Sequence, residues 1–186
     1  MTIRVIGGEL KGRKLATVPG IKTRPTADRV RESIFNILDF RVQDASVLDL
    51  FAGTGAMGIE ALSRGAETVV FADDNPAAIN TLKKNIKNCS LENRSRTLQW
   101  NILKNLDILH SYKPAFNLVF IDPPYDKRMV QPTLLNLGLS RCLGNRAMVV
   151  LEHSTLEPIP EDLAGFNMAD QRRYGKTLVS FLTCMV

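Results

Sequence analysis

Two hydrophobic periods alternate along this chain. Val47 to Phe51, Thr68 to Ala72, Phe116 to Ile121 and Ala147 to Glu152 are mainly apolar runs of five or six residues, and Arg96 to Trp100 is a fifth, more polar candidate. Runs this short, closed by Gly, Asp or Pro, predict strands buried in a parallel sheet. Between them the spacing changes to that of helices. Val30, Ile34, Ile37 and Leu38 predict a helix capped by Thr26, with Arg29, Glu32 and Asn36 facing elsewhere. A helix begins near Met57 and is stopped by Gly65, and another opens at Asn75-Pro76 and runs through Ala78, Ile79, Leu82 and Ile86. A further helix is expected to start at Asn101-Ile102, and one from Val130 to Leu143 is expected to be interrupted near Pro132 and loosened by Gly138. Phe166 to Tyr174 and Thr177 to Cys184 flank Gly175-Lys176, the pattern of an antiparallel hairpin. At the front, Ile3 to Ile6 and Arg13 to Ala16 surround Gly7-Gly8 and Lys11-Gly12 and predict a smaller hairpin.

This alternation predicts an α/β protein: a Rossmann-like doubly wound sheet, mostly parallel, with an antiparallel C-terminal hairpin. Residues 25–186 read as one globular unit and residues 1–24 as a basic N-terminal β-hairpin extension. With 186 residues, 45% hydrophobic and 23% charged, the chain can bury a core without disulfides or metal. Charge changes the picture more than composition does. Residues 1–31 carry Arg4, Lys11, Arg13, Lys14, Lys22, Arg24, Arg29 and Arg31 against Glu9 and Asp28, while the whole chain is only +5. A polyanion that meets the amino-terminal segment is the natural partner, nucleic acid being the commonest such polyanion, and Arg4, Lys11, Arg13, Lys14, Arg24, Arg29 and Arg31 are the candidate contacts; a merely solvated basic face is the competing reading. Cys89, Cys142 and Cys184 lack paired spacing and suit a reducing compartment. No apolar run approaches a membrane span and the start has no signal-peptide pattern, so a cytoplasmic location, with no membrane partner, is expected.

The chemistry gathers where runs end. Gly53, Gly55 and Gly58, after the first run, have the G-x-G-x-x-G spacing that brings backbone close to a ligand. Dinucleotide enzymes and S-adenosylmethionine enzymes both use such a loop. Asp49 favours the second, because a carboxylate there repels a pyrophosphate but neutralises an ammonium. Phe51, Ala52 and Thr54 complete the loop. Asp73, ~20 residues beyond the first glycine, is placed to accept ribose hydroxyls, with Asp74 the near alternative. Asn101 could bond an adenine while Ile102 flanks it. Asp122-Pro123-Pro124-Tyr125 follows Ile121 in a stiff turn without proline N–H groups. Asp122 and the Pro123 carbonyl are suited to accept both hydrogens of an exocyclic amine, and Tyr125 to stack on its base. His110, in an expected helical stretch, and His153 have no metal spacing and are read as non-catalytic, no metal site is expected, and Trp100 reads as packing.

Together these residues resemble a known family, the small bacterial 16S ribosomal RNA guanine-N2 methyltransferases of the RsmD type. The likeness runs through Arg4-Val5-Ile6-Gly7-Gly8, Lys11-Gly12-Arg13-Lys14-Leu15, Arg24-Pro25-Thr26, Asp28-Arg29-Val30-Arg31-Glu32, Asp49 to Gly55, Gly58-Ile59-Glu60-Ala61-Leu62 and Asp122 to Tyr125. It implies a class I S-adenosylmethionine-dependent methyltransferase fold and methylation of guanine N2 at the site conventionally called guanine 966, on the small ribosomal subunit or its assembly intermediate. It also implies Asp49, Gly53 and Gly55 at the methionine end, Asp73 at the ribose, Asn101 at the adenine, and Asp122 to Tyr125 at the target base. Ala72 stands where the family often has a bulkier residue ahead of its ribose acid. A DNA or other RNA amino-methyltransferase acting on adenine N6 or cytosine N4 could use the same pocket, but usually adds a target-recognition domain for which there is little room. A nicotinamide-dependent oxidoreductase would leave Asp122 to Tyr125 without a purpose. Nothing demands more than a monomer.

Overall fold

The structure is a computed structural model that describes residues 3–20, 27–159 and 165–185. The expected contacts of Arg24 and the cap by Thr26 lie outside those residues. β1 (Ile3–Arg4) and β2 (Lys14–Leu15) form the small antiparallel hairpin. After α1 (Ala27–Leu38) the main sheet begins with β3 (Ser46–Leu50), α2 (Ala56–Ser63), β4 (Thr68–Asp73), α3 (Pro76–Asn88) and β5 (Ser95–Gln99). It continues through β6 (Phe116–Ile121), α4 (Val130–Leu139), β7 (Leu143–Ser154), β8 (Phe166–Tyr174) and β9 (Thr177–Cys184). The seven strands lie in the order β5-β4-β3-β6-β7-β9-β8, parallel from β5 to β7 and antiparallel beyond. The chain winds outward from β3 in one direction to β5 and then crosses to β6 on the other side, so the switch point lies between β3 and β6.

Both faces of the sheet are covered, which is why its central strands read as apolar runs. Val47, Phe71, Leu118, Phe120 and Val150 pack with residues of α1, α2 and α3 on one face. Leu48, Leu50, Val70, Ile121 and Leu151 pack with Val130, Leu134 and Leu137 of α4 on the other.

Several expectations are corrected. Ile37 is 38% exposed, because the buried stripe of α1 turns toward Arg31 and Phe35 and leaves Ile37 on its rim. No α-helix starts at Asn101-Ile102; a turn is followed by a short 3-10 segment at Asp107–Leu109, just ahead of His110. The Asn101 side chain accepts from the N–H groups of Leu103 and Lys104 and so closes the turn locally. Pro132 does not interrupt α4, since it lies in the first turn, where a missing N–H costs little. That helix ends at Leu139, and Leu143 already opens β7.

The hairpin is joined to the sheet domain through a buried carboxylate. Glu60 on α2 is fully buried and accepts from Ile6 N at 2.7 Å, Gly7 N at 2.8 Å and Arg64 Nε at 2.7 Å. Arg31 Nε stands 3.7 Å from its other oxygen. Nearby, Ser63 Oγ donates to Gly7 O and accepts from Leu10 N. Arg31, one of the expected RNA contacts, is only 5% exposed and donates to Arg4 O and Asp28, so it holds the hairpin rather than facing a ligand. Replacing Glu60 by Ala strands the Arg64 charge and two backbone N–H groups and leaves Arg31 with Asp28 as its remaining carboxylate. We expect a loss of about 3–5 kcal/mol in unfolding free energy, read by urea denaturation.

Candidate active site

The carboxyl ends of the parallel strands form the candidate site because their registers align. Leu50 pairs with Ala72 on one side and with Ile121 on the other, and Ile121 pairs with Leu151. The next position on each strand is therefore Phe51, Asp73, Asp122 and Glu152. Asp73 and Asp122 are separated by one strand, about 10 Å at the usual spacing of neighbours.

Each glycine of the loop has a different task. Gly53 has φ +55°, and a Cβ there would meet only Phe51 O, at an ordinary 3.9 Å, so its role is the turn and not close packing. Gly55 also has positive φ, but its Cβ would come within 2.4 Å of Leu82 Cδ1; Gly58 would meet Phe71 Cε1 at 2.3 Å. The latter two let α2 lie tightly against β4 and α3. Phe51 adopts φ +58°, a costly conformation for a bulky residue that turns the chain sharply at the end of β3.

Asp49 is 3% exposed and accepts one hydrogen bond, from Gly58 N at 2.9 Å. Among the described residues no cation pairs with it. Desolvation by burial, with Asp73 adding a like charge, pushes its pKa up to about 8 against the single stabilising N–H. Such a carboxylate fits a ligand that brings a positive charge. Asp73, 8% exposed, accepts from Gly53 N at 2.8 Å and Asn75 N at 2.9 Å, which turns it toward the glycine loop, whereas Asp74 is exposed. Ile102 is 2% exposed and packs in the second core cluster, while Asn101 is exposed beside it.

Asp122 and Pro124 are exposed and Pro123 is buried. Tyr125 is half-buried, and its hydroxyl donates to Glu152 Oε1 at 2.7 Å with Thr177 Oγ1 at 3.0 Å. Burial first, and then the Glu152 charge, hold the phenol well above its ordinary pKa, so it stays a donor. Arg4, Lys11, Arg13, Lys14 and Arg29 are exposed, unlike Arg31. His153 is buried against Ser180 and Glu157 O, Trp100 donates to Asn105 O, and all three cysteines are buried.

Sequence reasoning missed three partners. Glu152 carries the same signal as Asp73 and Asp122, an acid at the end of an apolar run. Asn85, fully buried in the apolar stripe of α3, accepts from Ala16 N and donates to Ala16 O and Thr54 O, tying the glycine loop to the chain beyond the hairpin. A polar residue in an apolar stripe is a visible signal. Thr177 gives none.

Because the folded pKa of Asp49 lies above its ordinary 3.8, the folded chain retains a proton that the unfolded chain has released between those values. Stability from this group is therefore lost as pH rises from about 4 to about 8. Thermal melts across that range without ligand should show the decline, and Asp49→Asn should flatten it.

Residues 3–183 match the family model described as Conserved hypothetical protein 95. The chain is 33% identical over 174 residues to ribosomal RNA small subunit methyltransferase D of Escherichia coli K12, covering 94% of this chain and 86% of the relative. It is 36% identical over 178 residues to YlbH of Bacillus subtilis 168, covering 96% and 97% of the two chains. The solved structure of yhhF from Escherichia coli superposes with a TM-score of 0.85 at 30% identity, over 99% of this chain and 98% of that one.

Proposed function

The chain belongs to the Conserved hypothetical protein 95 family, the RsmD family of ribosomal RNA methyltransferases, and on that premise we propose that it uses S-adenosylmethionine to methylate the N2 amine of a guanine in 16S RNA. The target is the position conventionally called guanine 966, and the substrate is the small ribosomal subunit or its assembly intermediate. The observation that carries the reading is the pairing of two features on adjacent strands. Asp49 on β3 is a buried acid with no cation beside it among the described residues, and Asp122 follows β6 at the neighbouring edge.

When bound, S-adenosylmethionine supplies an electrophilic methyl group on a sulfonium. Asp49 would neutralise the ammonium of its methionine end, and would return from acid to carboxylate as it does so. The outer side of the loop from Phe51 to Gly55 would lie along the ligand. Asp73, already aligned by two backbone N–H groups, keeps lone pairs for ribose hydroxyls, and Asn101 would reach the adenine. A base amine is a poor nucleophile while its lone pair is conjugated with the ring. Asp122 and the Pro123 carbonyl would each accept one N–H, hold the nitrogen toward the methyl and release the lone pair from the ring plane. Asp122 is then placed to receive the proton that the amine loses. Tyr125, fixed at its hydroxyl by Glu152 and Thr177, presents a ring of set orientation on which the flipped base would stack.

Arg4, Lys11, Arg13, Lys14 and Arg29 would hold RNA phosphates. The hairpin that carries most of them is bonded to α2, the helix that follows the glycine loop, so substrate and cofactor would be referred to one rigid element. The protein would act in the cytoplasm as a monomer.

Asp122→Ala should abolish methyl transfer to small subunits while calorimetry finds S-adenosylmethionine affinity within about threefold of wild type. Retained turnover would refute the assignment of Asp122. Replacing Arg13 and Lys14 by Ala should lower the slope of log affinity against log salt by about 1 to 2 in filter binding with 16S RNA. An unchanged slope would refute the hairpin as a phosphate contact.

A further inference from the structure

A guanine N2 amine differs from the other amines that an Asp-Pro-Pro-Tyr turn can hold by what stands next to it on the base. Guanine has an N1–H beside the amine, a third donor in the same row. Adenine N6 and cytosine N4 have a ring-nitrogen lone pair there instead. A site specific for guanine therefore needs a third acceptor beside Asp122 and the Pro123 carbonyl.

Glu152 occupies the position that supplies one. The pairing of Ile121 with Leu151 makes Asp122 and Glu152 the next positions on neighbouring strands. Alternation along β7 puts Glu152 on the same face as Val150, which packs in the cluster shared with α1, α2 and α3. Tyr125, three residues after Asp122 in the same turn, donates its hydroxyl to Glu152 Oε1 at 2.7 Å. That bond orients the carboxylate, and among the described residues no hydrogen bond reaches its Oε2. A carboxylate has no donor of its own, so a base that offers a lone pair at this point meets repulsion instead of a hydrogen bond.

Resting on the guanine reading above, we propose that Glu152 selects the base by accepting the N1–H next to the reacting amine. Tyr125 then has a double task, stacking on the base and setting the angle of the carboxylate that reads its edge. The specificity for guanine over adenine and cytosine comes from β7, and the Asp-Pro-Pro-Tyr turn itself reads only the amine.

The test uses reconstituted small subunits that carry either guanosine or 2-aminopurine riboside at the nucleotide the wild-type protein modifies. 2-Aminopurine keeps the 2-amine but has a lone pair at N1. Wild type should prefer guanosine by about 10- to 100-fold in kcat/KM, the range for one charge-assisted hydrogen bond. Glu152→Gln keeps an oxygen for Tyr125 and turns an N–H toward N1, so the preference should fall below about threefold or reverse. If Glu152 only supports Tyr125, the variant slows both substrates by the same factor and the ratio stays at its wild-type value, which overturns the proposal. Equal wild-type rates on the two substrates also overturn it, and that comparison stands even if the variant does not fold. Absence of wild-type transfer to guanosine subunits removes the guanine reading itself, a result distinct from transfer with an unchanged ratio.

Discussion

The in-register parallel pairing of β3 with β4 and β6 is the constraint on which the site depends. Leu50, Ala72 and Ile121 stand side by side, so the residues that follow them emerge along one edge. Parallel strands share a direction, and residues more than 70 positions apart therefore arrive at the same crevice. A slip of one residue in β6 would turn Asp122 to the α4 side of the sheet, since successive side chains face opposite ways. The apolar runs hold the register because each strand is buried on both faces, where any slip exchanges the partners of two packed layers at once.

A second constraint is electrostatic. Two buried acids, Asp49 and Asp73, lie near each other, and the charge of Asp73 adds to the desolvation that disfavours ionisation of Asp49, while Asp73 itself accepts from two backbone N–H groups. Glu60 behaves differently. It is as deeply buried as Asp49, but two arginines and two N–H groups surround it. The contrast separates two uses of a buried carboxylate. One is satisfied within the protein and locks two parts of the chain together; the other has a single internal partner and is suited to an external cation.

The same locking explains how a small basic hairpin keeps a fixed place on the sheet domain. Two strands of two residues each would be marginal by themselves. Val5 and Leu15 join the core next to α1 and α2, and Asn85 connects Ala16 to the glycine loop. Its exposed cations are thereby held in a fixed relation to the crevice, which a flexible basic tail would not provide.

Local pattern in the sequence by itself determined the central strands, the glycine turn, α3 with its Asn75 cap, and the C-terminal hairpin, because each is set by neighbours within a few residues. It also marked Asp49, Asp73 and Asp122, since an acid at the end of an apolar run stands out without knowledge of its partners. It misled at Asn101, where an Asx turn and a helix start share the same residue types, and at Arg31, where charge suggested a surface. Only the tertiary structure decided that Arg31 is internal, that Glu60 joins hairpin to helix, and that Glu152 and Thr177 meet Tyr125. Those contacts link residues from 27 to 54 positions apart, and burial, which turns an ordinary charge into a clamp, is a property of the packed chain and not of any segment of it.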